Sequence, residues 1–592
     1  MERSALLHRP DSEYAYLYEK DRFHIRLRTK HKDVAAVRLI AGDPYLIDQD
    51  KWYQQSEAMT LLASTEDYDY WFIEVSAKFR RIQYAFHVTG ADDEEVFYGD
   101  RGLFDVSQAV LAKAENYFRM PFFHEIDRFK SPQWVKETVW YQIFPERFAN
   151  GDTSNDPAGT LPWGSKLPGR EDFFGGDLQG VIDHLDYLVD LGINGIYFCP
   201  IFTAYSNHKY DTIDYFDIDP AFGDKALFKK LVSEAHKRGI RIMLDAVFNH
   251  AGYYAPQWQD VVEHEEQSRY KDWFHIHSFP VAYGQNGNFE GATTLSYDTF
   301  AFTPRMPKLN TANPEVQEYL LDIATYWIKE FDIDAWRLDV ANEVDHHFWK
   351  QFYQATIALK EDFYILGEVW HSSQSWLNGD EFHAVMNYAY TETILNFFVK
   401  EEITAKKMVS GLNEQLMLYR QQTNEVMFNC LDSHDTARLL TVSGEDKDVA
   451  KMALAFTFLQ HGSPCLYYGT EVGMLGENDP DCRRCMIWEE EQQDLDMLSF
   501  TKALIALRKA YQPILSYGGL AFTHVNNDDN YLIFRRESPD GVIDAYFNRG
   551  TAGHAVVLGY NEKIIMSQNV TQTGKGLTIG EKGFLVVAKT NE

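Results

Sequence analysis

Hydrophobic positions change their period along the chain, and the change divides it into regions. Residues 1 to about 120 hold short apolar and β-branched runs separated by turn residues, for example 23–29, 36–46, 70–75 and 82–88. Alternation with a period of two predicts half-buried strands. We therefore expect an N-terminal β-sandwich over residues 1–120.

From residue 139 onward, apolar strands alternate with amphipathic helices. Eight buried strands are predicted at 139–144, 195–200, 240–248, 333–340, 363–369, 384–388, 426–431 and 465–468. One helix is predicted over 178–191, ending at Gly192, and the next begins at Asp224, a favoured N-cap residue. Eight β/α units predict an α/β fold, a closed (β/α)8 TIM barrel.

The barrel pattern is interrupted once and is followed by a second all-β region. The segment between His250 and Phe331 is too long for a simple connection, so we predict a small inserted domain at 251–310. A helix at 495–509 completes the barrel, and short strands after it predict a C-terminal β-sandwich. The predicted domains are 1–120, 121–250 together with 311–510, 251–310, and 511–592.

Charge and cysteine usage narrow the classes of partner. Lys and Arg number 56 against 88 Asp and Glu, a formal net charge of −32. Such an acidic chain repels nucleic acid and anionic lipid, so we expect neither as a partner. No signal peptide or membrane-spanning stretch is recognised, and the five cysteines are sparse, so we expect a cytoplasmic protein. The spacing of Cys482 and Cys485 alone does not predict a metal or redox site.

Polar residues end four of the predicted strands, although the strand bodies are apolar. These ends lie at 244–250, 336–343, 367–370 and 431–435. Active sites of such barrels lie at the carboxyl ends of the strands, so Asp339, Glu368 and Asp435 are expected to converge. Three carboxyl groups fit glycoside cleavage, in which a carboxylate attacks the anomeric carbon and a carboxylic acid protonates the leaving oxygen.

Arg337 lies two residues before Asp339, so both side chains leave the same face of the strand. A fixed positive charge there is expected to keep Asp339 deprotonated. A structural ion pair explains these two residues equally well, whereas four polar strand ends together favour a catalytic site. A metal-dependent hydrolase would need more histidines at the mouth than His250 and His434.

The four strand ends resemble the four conserved regions of the α-amylase superfamily, glycoside hydrolase family 13. The resemblance spans about residues 130–510 and includes 195–200 and 462–464. Two segments, Met-Pro-Lys-Leu-Asn at 306–310 and Val-Ala-Asn-Glu at 340–343, are similar to those of one subgroup. That subgroup comprises the cyclomaltodextrinases, neopullulanases and maltogenic amylases, which also carry an N-terminal β-sandwich.

The resemblance implies a role for each site residue. Asp339 would be the nucleophile, Glu368 the general acid/base, and Asp435 the group that stabilises the distorted sugar. The implied substrate-binding residues are His208, Tyr210, His250, Phe300, Arg337, Trp370, His434 and Arg483. Arg484 is the alternative to Arg483, because the following Cys485 stands where the subgroup tends to have proline.

An oxygen-rich loop follows the first predicted strand. Its Asn, Asp and Gly residues also suit a solvated turn, and the spacing alone favours that interpretation. The subgroup has a calcium site in the matching loop, so the resemblance implies calcium as a cofactor. The implied ligands are Asn150, Asp152, Asn155, Asp156, Gly175 and Asp177.

The resemblance further implies a retaining α-glucan hydrolase that acts on cyclodextrins, maltooligosaccharides and, as a further candidate, pullulan, with transglycosylation as a side activity. It implies a homodimer in which the N-terminal domain covers the partner's barrel mouth; a starch-binding module on a monomer is the alternative. A neopullulanase, a maltogenic amylase and a dedicated transglycosylase of the same fold remain open. A non-catalytic carbohydrate-binding protein would have lost the three acids, which are present.

Overall fold

The computed structural model describes residues 1–45, 51–281, 295–574 and 576–590. The chain forms two compact units. One contains Met1–Lys130, Glu401–Glu425 and Gly518–Glu592, and the other contains Ser131–Lys400 and Val426–Tyr517. Within the described residues, no helix combines the length and the apolar character needed to cross a membrane.

The N-terminal region of the first unit is the predicted β-sandwich. One sheet contains, in spatial order, Ala15–Glu19, Arg22–Lys30, Tyr68–Ser76 and Thr60–Ser64. The other contains Glu57–Ala58, Val34–Gly42, Ile82–Gly90, Glu95–Gly99 and Gly102–Asp105, with Phe118–Met120 paired to the third of these. The two sheets pack into one buried core, as alternating strands require. The first sheet contributes Phe23 and Ile25, and the second contributes Val37 and Leu39.

Residues 401–425 belong to this unit, whereas the sequence analysis placed them in the barrel domain. The helix Ala405–Leu418 presents Asn413, whose Nδ2 donates to the carbonyl of Ser64 at 2.8 Å. The helix is amphipathic, but its periodicity does not reveal which sheet covers its apolar face.

The C-terminal region is all-β, as predicted. Its strands form one antiparallel sheet and are Gly519–Asn526, Tyr531–Ser538, Gly541–Asn548, His554–Val556, Lys563–Thr573 and Gly576–Thr590. The long last strand pairs with three neighbours. Its residues Ile579, Leu585 and Val587 pack with Tyr531 in a hydrophobic cluster.

The second unit contains the predicted parallel barrel. Its eight strands are Trp140–Ile143, Gly195–Phe198, Arg241–Ala246, Ala335–Leu338, Tyr364–Gly367, Ala384–Val385, Phe428–Cys430 and Ser463–Tyr467. Neighbouring strands pair in parallel, and a bridge between Met386 and Phe428 joins strands six and seven, so the ring is closed. All eight strands fall on predicted ones. Their carboxyl ends therefore share one face of the barrel.

The second unit also contains helices, most of them between successive barrel strands and one in the inserted segment. The longer ones are Lys225–Lys237, Pro256–His264, Pro314–Phe331, His346–Leu359, Lys447–Phe458 and Leu495–Ala510. Shorter ones are Gln133–Lys136, Pro145–Phe148, Leu178–Asp183, Leu185–Leu191, Tyr388–Ile394, Leu439–Val442 and Gln512–Leu515. Asp224 caps its helix as predicted, by accepting from Leu227 N at 2.8 Å.

The prediction of one helix over 178–191 was wrong, because the chain forms two helices that meet at His184. The His184 ring donates from Nδ1 to the carbonyl of Gly180 at 2.7 Å. In a continuous α-helix that carbonyl would accept the backbone N–H of His184. The side chain therefore competes with the helix for its own acceptor.

Residues 251–310 connect barrel strands three and four, and 282–294 of them lie outside the described residues. The helix Pro256–His264 buries Trp258 against Phe274, with ring centroids 4.8 Å apart. A bridge between His250 and Lys308 ties the end of this inserted segment to the end of barrel strand three.

Candidate active site

Polar side chains of adjacent strands meet at the carboxyl end of the barrel. Asp245 on strand three is in register with Arg337 on strand four. Asp339 and Glu368 directly follow the last residues of strands four and five. The fold therefore brings these residues, which are distant in sequence, to one place.

Arg337 is fully buried and is the cation at the centre of this group. Its Nη1 lies 2.9 Å from Asp245 Oδ1 and 2.8 Å from Asp339 Oδ1, and its Nη2 lies 2.8 Å from Glu368 Oε2. One guanidinium thus fixes three carboxylates. The sequence indicated only the pair with Asp339, because the other two partners come from neighbouring strands.

Burial raises the pKa of Asp339 well above the usual range of an aspartate; the attraction of Arg337 lowers it, and the charges of Glu368 and Asp245 raise it. Burial likewise raises the pKa of Asp245 to about 6. The charge of Arg337 thus acts in the expected direction on the pKa of Asp339, and burial opposes it. One cation thus faces several buried carboxyl groups, and burial raises the pKa of two of them, Asp339 and Asp245.

Two N–H groups hold the two oxygens of Glu368. Val340 N donates to Oε2 at 2.9 Å, and Trp370 Nε1 donates to Oε1 at 3.1 Å. Val340 has φ 45° and ψ 43°, a strained left-handed conformation for a β-branched residue. Trp370 is half exposed and stacks on Tyr388, with ring centroids 3.6 Å apart and planes 6° from parallel. The carboxyl group of Glu368 is therefore fixed on both sides.

A hydrogen-bonded chain links His434 to the carboxylate cluster. His434 Nδ1 lies 2.7 Å from Gln142 Nε2, and its Nε2 lies 2.6 Å from the Tyr210 hydroxyl. That hydroxyl also lies 2.9 Å from Asp245 Oδ2, to which it donates. Burial lowers the pKa of His434 well below its usual value, so the ring is neutral.

Arg483, and not Arg484, reaches the cleft. Arg483 Nε donates to the carbonyl of His434 at 2.9 Å, and its Nη2 lies 3.4 Å from Asp435 Oδ1. Arg484 instead pairs with Asp481 at 2.6 Å. The geometry therefore favours Arg483 as the late basic residue of the site.

His250, Phe300 and His208 lie around Tyr210. The ring of His250 stacks on Phe300 with centroids 5.2 Å apart, and its Nε2 lies 3.0 Å from the carbonyl oxygen of Tyr210. His208 Nδ1 accepts from Tyr210 N at 3.1 Å. Burial lowers the pKa of His208 to about 3 and that of His250 to about 4, so both rings are neutral.

The predicted residues line one cleft of about 820 Å³, within the ~300–1,000 Å³ typical of small-ligand sites. The lining includes Asp339, Glu368, Asp435, His208, Tyr210, His250, Phe300, Trp370, His434 and Arg483. Arg337 lies beneath them, in contact with Asp339 and Glu368.

Several residues of the cleft were not predicted from the sequence. Tyr205, Asn207 and Asp479 line it, and Asp479 Oδ1 lies 2.8 Å from Arg483 Nη1. These residues lie in loops whose course periodicity does not determine. Gln142, which contacts His434, had a visible signal, because it is a polar residue inside an otherwise apolar strand.

The six residues of the predicted calcium loop lie together. Asn150 Nδ2 donates to Asp156 Oδ1 at 2.9 Å, and Asn155 Nδ2 to Asp177 Oδ2 at 3.1 Å. Gly175 has φ 84°, and a Cβ there would lie 2.3 Å from both Asn150 and Asp156. The backbone N–H of Asp152 also donates to Asp177, at 2.9 Å.

Two oxygen atoms in this loop are buried without a partner among the described residues, namely Oδ1 of Asn150 and Oδ1 of Asn155. Such orphaned acceptors, beside a glycine that leaves no room for a side chain, suit an oxygen-ligated cation. Within the described residues, no three His, Cys, Asp or Glu side chains are grouped to hold a metal ion. A calcium site here would therefore combine amide and carbonyl oxygens with fewer than three carboxylates.

Comparison with known proteins places the chain in a family. The profile for the α-amylase catalytic domain matches residues 142–515, and that for the α-amylase N-terminal Ig-like domain matches 1–124. An intracellular maltogenic amylase of Bacillus subtilis is 56% identical over 550 residues, covering 93% of this chain and 92% of that protein. A cyclomaltodextrinase of Geobacillus thermopakistaniensis is 51% identical over 549 residues, covering 93% and 91%.

A solved structure of a cyclomaltodextrinase superposes with a TM-score of 0.91 at 45% identity, covering 99% of this chain and all of that one. These matches extend over both units and not only over the barrel. The chain therefore belongs to glycoside hydrolase family 13, the α-amylase superfamily, in the subgroup of cyclomaltodextrinases, neopullulanases and maltogenic amylases, and it is a glycoside hydrolase.

Proposed function

We propose that the enzyme hydrolyses α-1,4-glucosidic bonds of cyclodextrins and maltooligosaccharides with retention of configuration, and that pullulan is a further substrate. The observation that carries the proposal is the cluster in which Asp339 and Glu368 contact one guanidinium, that of Arg337. Two carboxyl groups that contact the same guanidinium suit a covalent double displacement, whereas an inverting pair must admit a water between them. The names of the two relatives support the substrate class.

The reaction then proceeds in two steps. Asp339 attacks the anomeric carbon while Glu368 donates a proton to the glycosidic oxygen, so the C–O bond breaks and a glucosyl ester of Asp339 forms. Glu368, now a carboxylate, removes a proton from water, and the water oxygen displaces Asp339 from the anomeric carbon. Each step inverts that carbon, so the product retains the α configuration. A sugar hydroxyl in place of water gives transglycosylation.

The surrounding side chains bind the sugars. We assign Tyr210, His434 and Arg483 to the sugar on the non-reducing side of the cut, together with His208 and His250, because all of them line the cleft. Asp435, half buried beside Arg483, stabilises the distorted ring. On the acceptor side, the half-exposed indole of Trp370 offers a stacking surface, and Phe300 offers a second apolar face.

Initial rates on β-cyclodextrin, soluble starch and pullulan, measured side by side, test the substrate class. The proposal expects β-cyclodextrin to be cleaved fastest. Faster cleavage of starch than of β-cyclodextrin would contradict it. Product analysis at low and high acceptor concentration separates this hydrolase from a dedicated transglycosylase, which would give transfer products even at low acceptor.

We propose calcium as a structural cofactor of the loop that contains Asn150, Asn155 and Asp156. Their side-chain oxygens and the carbonyl of Gly175 would hold the ion, which would fix the loop after barrel strand one. The carboxylates of Asp152 and Asp177 accept backbone N–H groups of the same loop and so organise it. The two orphaned amide oxygens support this proposal.

We propose a homodimer formed through the N-terminal region. The support is an exposed aromatic and apolar patch, which we call the N-terminal patch, made of Tyr45, Phe79, Phe122 and Ile126. Arg81 lies over the rings of both Tyr45 and Phe79, at 4.8 and 5.3 Å from their centroids. Apolar patches of this kind mark interaction sites, and interfaces are enriched in aromatic residues and arginine.

We propose the cytoplasm as the location of the enzyme. The support is the name of the intracellular relative and the cysteines, five in number, all buried and unpaired. Unpaired cysteines are typical of proteins that work in a reducing compartment. Localisation of a fluorescent fusion tests the proposal, and export of the enzyme would contradict it.

A further inference from the structure

Lys308 joins the inserted segment to the ends of two barrel strands. Its Nζ donates to Asn249 Oδ1 and to the backbone carbonyl of Glu343, the latter at 2.8 Å. Leu309 N also donates to the carbonyl of Asn249 at 3.0 Å, which fixes the backbone beside the contact. The Lys308 side chain is only 19% exposed, so its ammonium group is held against Asn249.

The chemistry of the three side chains determines how the protons are placed. An ammonium group only donates hydrogen bonds, so the amide of Asn249 must turn its oxygen toward Lys308. Its nitrogen then faces the ring of His250, with Asn249 Nδ2 lying 3.2 Å from His250 Nδ1. Because an amide nitrogen also only donates, Nδ1 must accept, and the proton of the neutral ring must sit on Nε2.

The protonated nitrogen of His250 is the one that lies against Tyr210, a residue of the cleft wall. Nε2 lies 3.0 Å from the carbonyl oxygen of Tyr210, and both residues line the cleft. The ring is buried, which disfavours the doubly protonated form, so Nε2 is its single donor. In the opposite tautomer Nε2 would carry a lone pair. That lone pair would face the lone pairs of the Tyr210 carbonyl oxygen and could not donate to a bound sugar.

We propose that Lys308 is a positioning residue that sets the tautomer of His250 through the amide of Asn249, so that the Nε2–H of His250, which the Tyr210 carbonyl accepts in the free cleft, can be shared with a glucan hydroxyl. The identity of the acceptor rests on the function proposed above, whereas the tautomer does not. The alternative that the test must exclude is a purely structural role, in which the hydrogen bonds of Lys308 only anchor the inserted segment to the barrel.

Long-range ¹H–¹⁵N correlation spectra of histidine-labelled enzyme report the tautomer without any turnover. The His250 signals are assigned by comparison with His250→Gln. In the native enzyme we expect a protonated Nε2 and a bare Nδ1; a protonated Nδ1 would overturn the proposal without recourse to any variant. Asn249→Asp, which offers only acceptors, should place a proton on Nδ1 as well, because Nε2 still faces the Tyr210 carbonyl; a bare Nδ1 in this variant would contradict the proposal. Lys308→Met should populate both tautomers, and an unchanged Nε2–H form in a folded Lys308→Met protein would also overturn it.

A double-mutant cycle then distinguishes positioning of His250 from a purely structural role of Lys308. Lys308→Met should lower kcat/KM for β-cyclodextrin about tenfold, the size of one lost hydrogen bond to substrate. In a His250→Gln background the same change should lower kcat/KM less than about twofold, because the ring through which Lys308 acts is gone. Equal losses of kcat/KM in both backgrounds would show that Lys308 only anchors the inserted segment. If β-cyclodextrin is not a substrate, the cycle is run on the best substrate found, and the spectra remain decisive.

Discussion

Among single residues, three acids carry the proposed mechanism. Asp339→Asn, Glu368→Gln and Asp435→Asn should each lower kcat by a factor of ~10²–10⁴ or more, because each removes a nucleophile, a proton donor or a charge that meets the transition state. Thermal melting checks that the variants remain folded. Asp214→Asn, a change at an exposed site, is the matched control and should retain activity. Near-native activity of Asp339→Asn, free of deamidation, would contradict its role.

Asp245 makes a second residue-scale prediction. Its charge raises the pKa of Asp339, so Asp245→Asn should lower that pKa and keep the nucleophile ionised at lower pH. The acid limb of the kcat/KM profile should therefore move to lower pH. An acid limb that stays in place, or moves to higher pH, would show that Asp339 does not control it. The exposed Asp214→Asn variant again serves as the control.

The sequence indicated the acids but not the network that holds them. Asp339, Glu368 and Asp435 stand at strand ends, a position that periodicity reveals. Which carboxylates share Arg337, and how Gln142 reaches His434, depends on the register between strands and on side-chain rotamers. These are tertiary facts that a one-dimensional pattern does not contain.

At the scale of elements, the loop at 150–156 carries the calcium prediction. If Asn150 and Asn155 are ligands, removal of calcium by EDTA should lower Tm, because an ion that binds only the folded state stabilises it. Excess calcium should restore Tm. Asn150→Ala should lower Tm in calcium and abolish the effect of EDTA. An EDTA-insensitive Tm together with no metal in elemental analysis would return the loop to a solvated turn.

The positions of elements were predictable where the signal was local. All eight barrel strands and the cap at Asp224 follow from apolar runs and a capping residue. The helix break at His184 was not predictable, because the apolar stripe does not show that the His184 ring donates a hydrogen bond to the carbonyl of Gly180. A side chain that competes for a backbone acceptor leaves the hydrophobic period unchanged.

At the scale of the whole molecule, the N-terminal patch predicts oligomeric state. Phe122→Glu combined with Ile126→Glu should convert a dimer into a monomer, because two buried charges oppose association. The preference for cyclodextrin over starch should fall with it, since the partner would no longer narrow the cleft. Sedimentation velocity and parallel rates on both substrates provide the measurement.

Val557→Glu, at an exposed apolar site directly after a strand of the C-terminal sheet, is the matched control and should remain a dimer. Point changes are preferable to deletion of residues 1–120, because the N-terminal strands pack in one compact unit with Glu401–Glu425 and Gly518–Glu592. A native enzyme that sediments as a monomer at micromolar concentration would contradict the dimer. A starch-binding module would instead lose starch activity in the patch variant and show no change in sedimentation.

The composition of the two compact units was only partly predictable from the sequence. The sequence predicted an all-β region at each end and a barrel between them, and the structure contains both. It did not predict that helix Ala405–Leu418 belongs to the same compact unit as the two β regions. An amphipathic helix shows how much surface it must bury but not against which neighbour.

We propose that Asp339 and Glu368 cleave the glucosidic bond in two displacements, and the configuration of the first-formed product distinguishes this route from a single displacement. ¹H NMR of β-cyclodextrin cleavage, recorded faster than mutarotation, resolves the two anomers of the new reducing end. Double displacement predicts that the α-anomer appears first and relaxes toward the equilibrium mixture. Initial appearance of the β-anomer would show a single displacement by water and would contradict the covalent role of Asp339.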